Sequence, residues 1–192
     1  FLGVRMGDAD DVAVENAFDL ILDGGGEVDE AMAEVLCMAE EGDASGLAQL
    51  FDADPSLVGK TGEDGDSALH IACLYGKQAI VEECLRRGAH VNIVDEDAST
   101  PLHDACAGGY TTIASILLAH GANIAAVDSD GDTPLHHGAN GGHMEVVTLL
   151  LEHACERRAE LLEICNKAGL RPIDVAEEEE VRVVLMQAQH PA

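Results

Sequence analysis

The stretch Thr133-Pro134-Leu135-His136 decides how this chain is read. It occurs 33 residues earlier as Thr100-Pro101-Leu102-His103 and, another 33 before that, in altered form as Ser67-Ala68-Leu69-His70. A fixed interval of that length marks an array in which one supersecondary unit is copied along the chain. Thr or Ser ahead of an apolar run suits a helix N-cap, and Pro suits the first helical turn, where its missing N–H loses no partner. A first helix is therefore predicted to start at Pro101 and again at Pro134.

Outward from the tetrapeptide, each His is followed six residues later by Gly76, Gly109 or Gly142. Glycine there supplies the positive φ that ends a helix and turns the chain back. A second apolar segment follows in each copy: Ala79 to Leu85, Ile113 to Leu118, and Val146 to Leu151. Within these, Ile113, Ile116 and Leu117, like Val146, Leu149 and Leu150, recur at helical spacing and give one apolar face. Gly88-Ala89, Gly121-Ala122 and, at the same place in the third copy, Ala154-Cys155 close the units. One such helix pair cannot bury its apolar face alone, whereas stacked neighbours close a continuous core. With aromatic residues at 3%, that core is left to Ala, Leu, Val and Ile.

This pattern resembles the ankyrin repeat. The resemblance implies an all-α solenoid of stacked antiparallel helix pairs with β-turn or hairpin fingertips between them. Three copies carry it, 65–97, 98–130 and 131–168. Leu36 to Gly42 with Leu47, Leu50 and Phe51 is read as an N-terminal cap pair (31–64) that lacks the Thr-Pro-Leu-His start. Gly169-Leu170-Arg171-Pro172-Ile173-Asp174-Val175-Ala176 repeats the motif with Asp174 in the place of His. With a short helix from Val181 to Met186, it is read as the C-terminal cap (169–192). The step from Gly131 to Gly169 is 38 residues, five longer than the others. The extra residues lie between His153 and Asn166, where Ala159, Leu161, Leu162 and Ile164 suit an extension of the second helix or a short helical finger; the insert is read as a tolerated loop, with a partner-specific contact as the alternative.

Residues 1–30 do not match the repeat. Val12, Val14, Phe18, Leu20 and Ile21 suggest a short amphipathic helix, and Asp23-Gly24-Gly25-Gly26-Glu27 a flexible linker. The chain begins at Phe1 rather than Met, and no secretory signal pattern is found.

Charge is the strongest clue to a partner. Asp and Glu total 37 against 10 Lys and Arg, a formal net charge of −27. Residues 1–66 hold 18 acids and two bases, Arg5 and Lys60. Nucleic acid is excluded as a ligand, since a phosphate backbone requires concentrated Lys and Arg. Anionic membrane surfaces are disfavoured for the same reason, and no apolar stretch approaches the ~18 residues of a membrane span. A basic protein segment is the favoured partner, attracted at long range and released by salt. The alternative is an acidic surface that serves solubility alone.

The resemblance implies a concave binding face built from the fingertips and the exposed side of the first helices. On this chain it comprises Glu63, Asp64, Asp66, Glu96, Asp97, Ser99, Asp130 and Asp132 at the turns, with Leu74, Tyr75, Asp104, Ala107, His137 and Asn140 on the helices. Tyr75 is an expected contact anchor and Tyr110 a structural residue. His70, His103 and His136 take the repeat's structural His, whose ring bonds backbone of the neighbouring turn. His143 takes a second such position, and His137 is the odd one, facing the groove. Cys73, Cys84 and Cys106 read as core thiols; Cys37 is ambiguous. Cys155 and Cys165, near His153, match no zinc spacing, and a reducing intracellular compartment is expected. No phosphate loop, nucleophile elbow or His-Glu-x-x-His is present, and Glu177 to Glu180 reads as the solvated start of the last helix. No enzyme activity, cofactor or metal is expected. The expected role is a protein-interaction module, an adaptor or chaperone-like binder of a basic segment. A constitutive subunit of a hetero-complex, or more weakly a regulatory subunit of an enzyme, stands as the alternative.

Overall fold

Capped turns and left-handed glycines alternate along the chain and divide it into helix pairs. The structure, a computed structural model, describes residues 29–189; the expected N-terminal helix and linker lie outside them. In chain order, α1 (Glu30–Glu41) pairs with α2 (Ala44–Ala53), α3 (Ala68–Leu74) with α4 (Gln78–Arg86), and α5 (Pro101–Ala107) with α6 (Thr111–Ala119). Next, α7 (Pro134–Asn140) pairs with α8 (Met144–Ala154), α9 (Arg158–Leu162) occupies the insert, and α10 (Pro172–Val175) pairs with α11 (Glu179–Gln189). First helices stack in the order α1, α3, α5, α7, α10, and second helices in the order α2, α4, α6, α8, α11. Among the described residues there is no strand beyond an isolated bridge from Thr61 to Ser67.

The core runs unbroken through these layers. Leu69, Leu102 and Leu135, each from the repeated tetrapeptide, are buried in line, as are Ile80, Ile113 and Val146 of the second helices. Cys73, Cys84 and Cys106 are buried among them, and burial pushes the Cys84 thiol up to about 12. Cys37, Cys155 and Cys165 are exposed.

Helices α5 and α7 begin at the two prolines, as the motif predicts. In both, the Thr side chain faces the backbone N–H of the His and the His ring answers the Thr N–H, a capping box. The backbone N–H of Thr100 donates to His103 Nδ1 (3.0 Å), and the Thr100 hydroxyl lies 2.9 Å from the same nitrogen. Thr133 and His136 repeat this at 3.1 and 2.8 Å. An Nδ1 that accepts an N–H leaves the ring proton on Nε2. That nitrogen donates into the next repeat: His70 to Ser99 O (3.2 Å), His103 to Asp132 O (3.2 Å), His136 to Leu170 O (3.1 Å). Each His thus holds its own turn and bonds the next, which is the nearest-neighbour coupling an array needs. In the last pair, Arg171 and Asp174 replace Thr and His, and the Arg171 N–H donates to the Asp174 carboxylate (3.0 Å).

The glycine column has its own partners. Gly76 and Gly109 have φ of 69° and 72°. A Cβ at Gly76 would come 2.5 Å from the Tyr110 ring, and one at Gly109 2.6 Å from the His143 ring. Tyr110 and His143 are therefore structural, each lying over the preceding repeat's turn, and His143 Nε2 donates to Ala107 O (2.9 Å).

The insert forms the short helix that its apolar residues suit. Helix α8 ends at Cys155 (φ 44°), a 3-10 turn spans Cys155–Arg157, and α9 follows. Leu161 and Leu162 are buried, packed where α9 meets α8 and α11, and Arg158 Nε donates to Leu151 O (3.0 Å) at the end of α8. Two adjacent leucines facing opposing helices cost too much in water to remain a loop. The last helix, Glu179–Gln189, is also longer than Val181 to Met186.

Candidate functional site

Three backbone hydrogen bonds fix the fingertips. Glu96 N–H donates to Asp64 O (3.3 Å), Ser129 N–H to Asp97 O (2.6 Å), and Lys167 N–H to Asp130 O (2.9 Å). Each turn is tied to the next, so Asp64, Glu96 and Asp97, and Asp130 follow one another along a single ridge. Glu63, Asp64, Glu96, Asp97 and Asp130 are exposed, and none is in an ion pair with a described residue. Lys167 stands at the far end, its Nζ on Ser129 O.

Other residues assigned to the face have different roles. Ser99 is half-buried and structural: its N–H donates to Asp95 Oδ1 (2.8 Å) and its carbonyl receives His70. Asp132 is half-buried and accepts a hydrogen bond from Asn166 Nδ2 (2.8 Å). Asp66 is half-buried too; desolvation, with the charges of Asp95 and Asp64, raises its pKa above the usual carboxylate value. Leu74 and Tyr75 are 46% and 45% exposed, and Ala107 and Asn140 are exposed.

Two acids that the sequence reading passed over organise the helix side of the groove. Asp95 and Asp128 stand one repeat apart, each nine residues before a first-helix residue on the face: Asp104 and His137. Asp128 Oδ1 accepts the N–H groups of Asp130 (2.9 Å) and Asp132 (2.8 Å), and its Oδ2 lies 2.7 Å from His137 Nε2. Burial alone would raise the Asp128 pKa, but the His137 and backbone hydrogen bonds outweigh it and hold the carboxyl below its usual value. The His137 ring meets the His103 ring edge-on, centroids 5.4 Å apart. Asp104 lacks any such arrangement. Its Oδ2 is shielded from solvent and has no hydrogen-bond partner among the described residues. Desolvation, then the charges of Asp66 and Asp95, raise its pKa to about 8. The signal for all four residues is the 33-residue interval itself, which pairs Asp95 with Asp128 and Asp104 with His137.

The sequence offered no metal site, yet folding brings Asp128, Asp132 and His137 together, with one ligand atom from each within 4.8 Å of the others. Beside them is a cleft of about 160 Å³ lined by Asp132, His136, His137, Asn140 and Val175. The donor set suits a divalent cation in type, but Asp128 already spends both oxygens on His137 and on backbone. No described helix is long and apolar enough to cross a membrane.

Among curated proteins, no match to this chain is found. A family model for ankyrin repeats in three copies matches residues 35–128, and one for the single ankyrin repeat matches 130–163. The first match starts within α1 and covers α2. Proteins of this kind generally act by binding other proteins and are typically not enzymes. The periodic turns, the His column and the matched models agree, and the chain belongs to the ankyrin-repeat family.

Proposed function

We propose that this chain is an adaptor or chaperone-like binder whose acidic concave face receives a basic segment of another protein. The observation that carries this reading is the ridge of Asp64, Glu96, Asp97 and Asp130, held in register by turn-to-turn hydrogen bonds and lacking counter-charges among the described residues. Like charges held at fixed spacing repel one another, and a cationic segment relieves that repulsion while gaining from it. Leu74 and Tyr75 add apolar contact at the first-helix end of the same face, where an amphipathic Tyr suits an anchor. The core thiols support a reducing compartment. The insert gives no support to a constitutive subunit docked through it, since Leu161 and Leu162 are spent inside the array.

The test uses the whole chain, wild type and Glu96→Lys/Asp97→Lys, as bait in native lysate, washed at about 0.1 M and then about 0.5 M salt. A basic protein released by the second wash and lost from the charge-reversed bait is expected. Partners that survive both washes and ignore the charge reversal would overturn the reading.

A further inference from the structure

The second and third repeats place different groups at one position of the groove. Asp128 meets His137 across 2.7 Å. One repeat earlier the same two positions hold Asp95 and Asp104, two acids. Asp95 keeps its structural task, its Oδ1 accepting the Ser99 N–H at 2.8 Å. Asp104 is left with a shielded oxygen that bonds no described residue. A buried polar atom without a partner is costly, and natural proteins seldom leave one without a use.

The charged groups that act on Asp104 deepen the deficit: Asp66 and Asp95 repel it, while the buried thiols of Cys73 on α3 and Cys106 on its own helix stay neutral and offer no counter-charge. No described Lys, Arg or His pairs with it. Asp104 as a residue keeps partial exposure, although its Oδ2 is shielded. What is missing is the hydrogen-bonding partner that His137 provides one repeat later.

We infer that Asp104 is the seat for one lysine or arginine side chain of the bound segment, which supplies the charge that the second repeat lacks. This rests on the proposed binding of a basic segment and names the point where that segment is anchored. The acidic ridge attracts the segment, and Asp104 fixes its register. A cation arriving at a protonated carboxyl releases the proton to solvent, so the anchoring contact strengthens as pH rises toward about 8.

The test is fluorescence anisotropy with a fluorescein-labelled decalysine peptide at about 0.1 M salt, at pH about 6 and about 8.5. The proteins are the wild type, Asp104→Asn and Glu96→Lys/Asp97→Lys. Binding by the wild type is expected to be several-fold tighter at the higher pH. Asp104→Asn should bind about tenfold more weakly at that pH and lose most of the pH dependence. Carbon-13 NMR of the Asp104 carboxyl should show its titration midpoint falling when peptide is added, a response that a merely structural role would not give. Wild-type affinity in Asp104→Asn, or an unmoved carboxyl midpoint, overturns the seat and leaves the ridge reading standing. A wild type that does not bind decalysine overturns both.

Discussion

The second and third repeats share a backbone plan and differ in how the concave side is finished. Both begin at a proline, both carry the His that bonds its own turn and the next, and both bury the same leucine. The third repeat pairs Asp128 with His137 and starts at Gly131, whose φ is 81°. The second leaves Asp104 unpartnered beside Asp95 and puts Ala98 at φ 57° where its neighbours have glycine. Residues that hold the stack are thus repeated faithfully, while Asp104 and Ala98 make the second repeat locally unfavourable where the third is not. Unfavourable groups at a prospective binding surface are where function departs from local consistency.

The largest expected effect concerns what the two repeats share. His103 is depressed to about 4 by desolvation first and then by the charge of His137, and burial likewise lowers His70 and His136. A base depressed on folding contributes stability that is complete above its unfolded value of 6.5 and is lost as pH falls toward 4. For His103 alone the ceiling is about 3 kcal/mol. Protonated Nδ1 cannot accept the Thr100 N–H, so the turn and the inter-repeat bond loosen together. Urea unfolding of Asp104→Asn at pH about 7 and about 4.5 measures this without the opposing titration of Asp104. Equal stability at the two values would break the account of the His column.

The next effect separates the repeats. Asp104 is raised from 3.8 to about 8, so its penalty is absent below 3.8 and grows as pH rises to about 8. Asp104→Asn should therefore stabilise the chain by about 2 kcal/mol near pH 8 and by almost nothing near pH 4. Asp104→His should stabilise as well, by pairing with Asp95 as His137 does with Asp128. A destabilised Asp104→Asn would mean that the acid has an unseen partner and that the comparison is mistaken. The smallest effect is Ala98→Gly, expected to add roughly 0.5 kcal/mol, with relief of the left-handed backbone set against a looser unfolded chain. Thermal melts distinguish it from Ala98→Val, which should lose stability.

Much of this was legible in the sequence because repetition makes each position comparable with its copies. The helix starts at Pro101 and Pro134, the left-handed Gly109, the buried Cys106 and the structural Tyr110 all follow from a motif, a period and local backbone chemistry. The helical character of the insert was legible in Ala159, Leu161, Leu162 and Ile164, but the burial of Leu161 and Leu162 was not, because it depends on the distant α11. The face was half legible. Exposed acids at the tips follow from turn composition, but Ser99 and Asp132 sit at similar places and are half-buried, the Ser99 carbonyl accepting from His70 and the Asp132 carboxylate from Asn166 of neighbouring repeats.

The sequence by itself determined the period, the handover from first to second helix, the identity of the stacking residues and the sign of the surface. Each of these rests on interactions within about one repeat, so local order along the chain is enough to specify it. Only the tertiary structure decided that the tip acids form one uncompensated ridge, that Asp128 meets His137, and that Asp104 has no partner. Those depend on which side chains from adjacent repeats come within hydrogen-bonding distance and which lose their water, and that is set by the stacking of layers rather than by spacing along the chain.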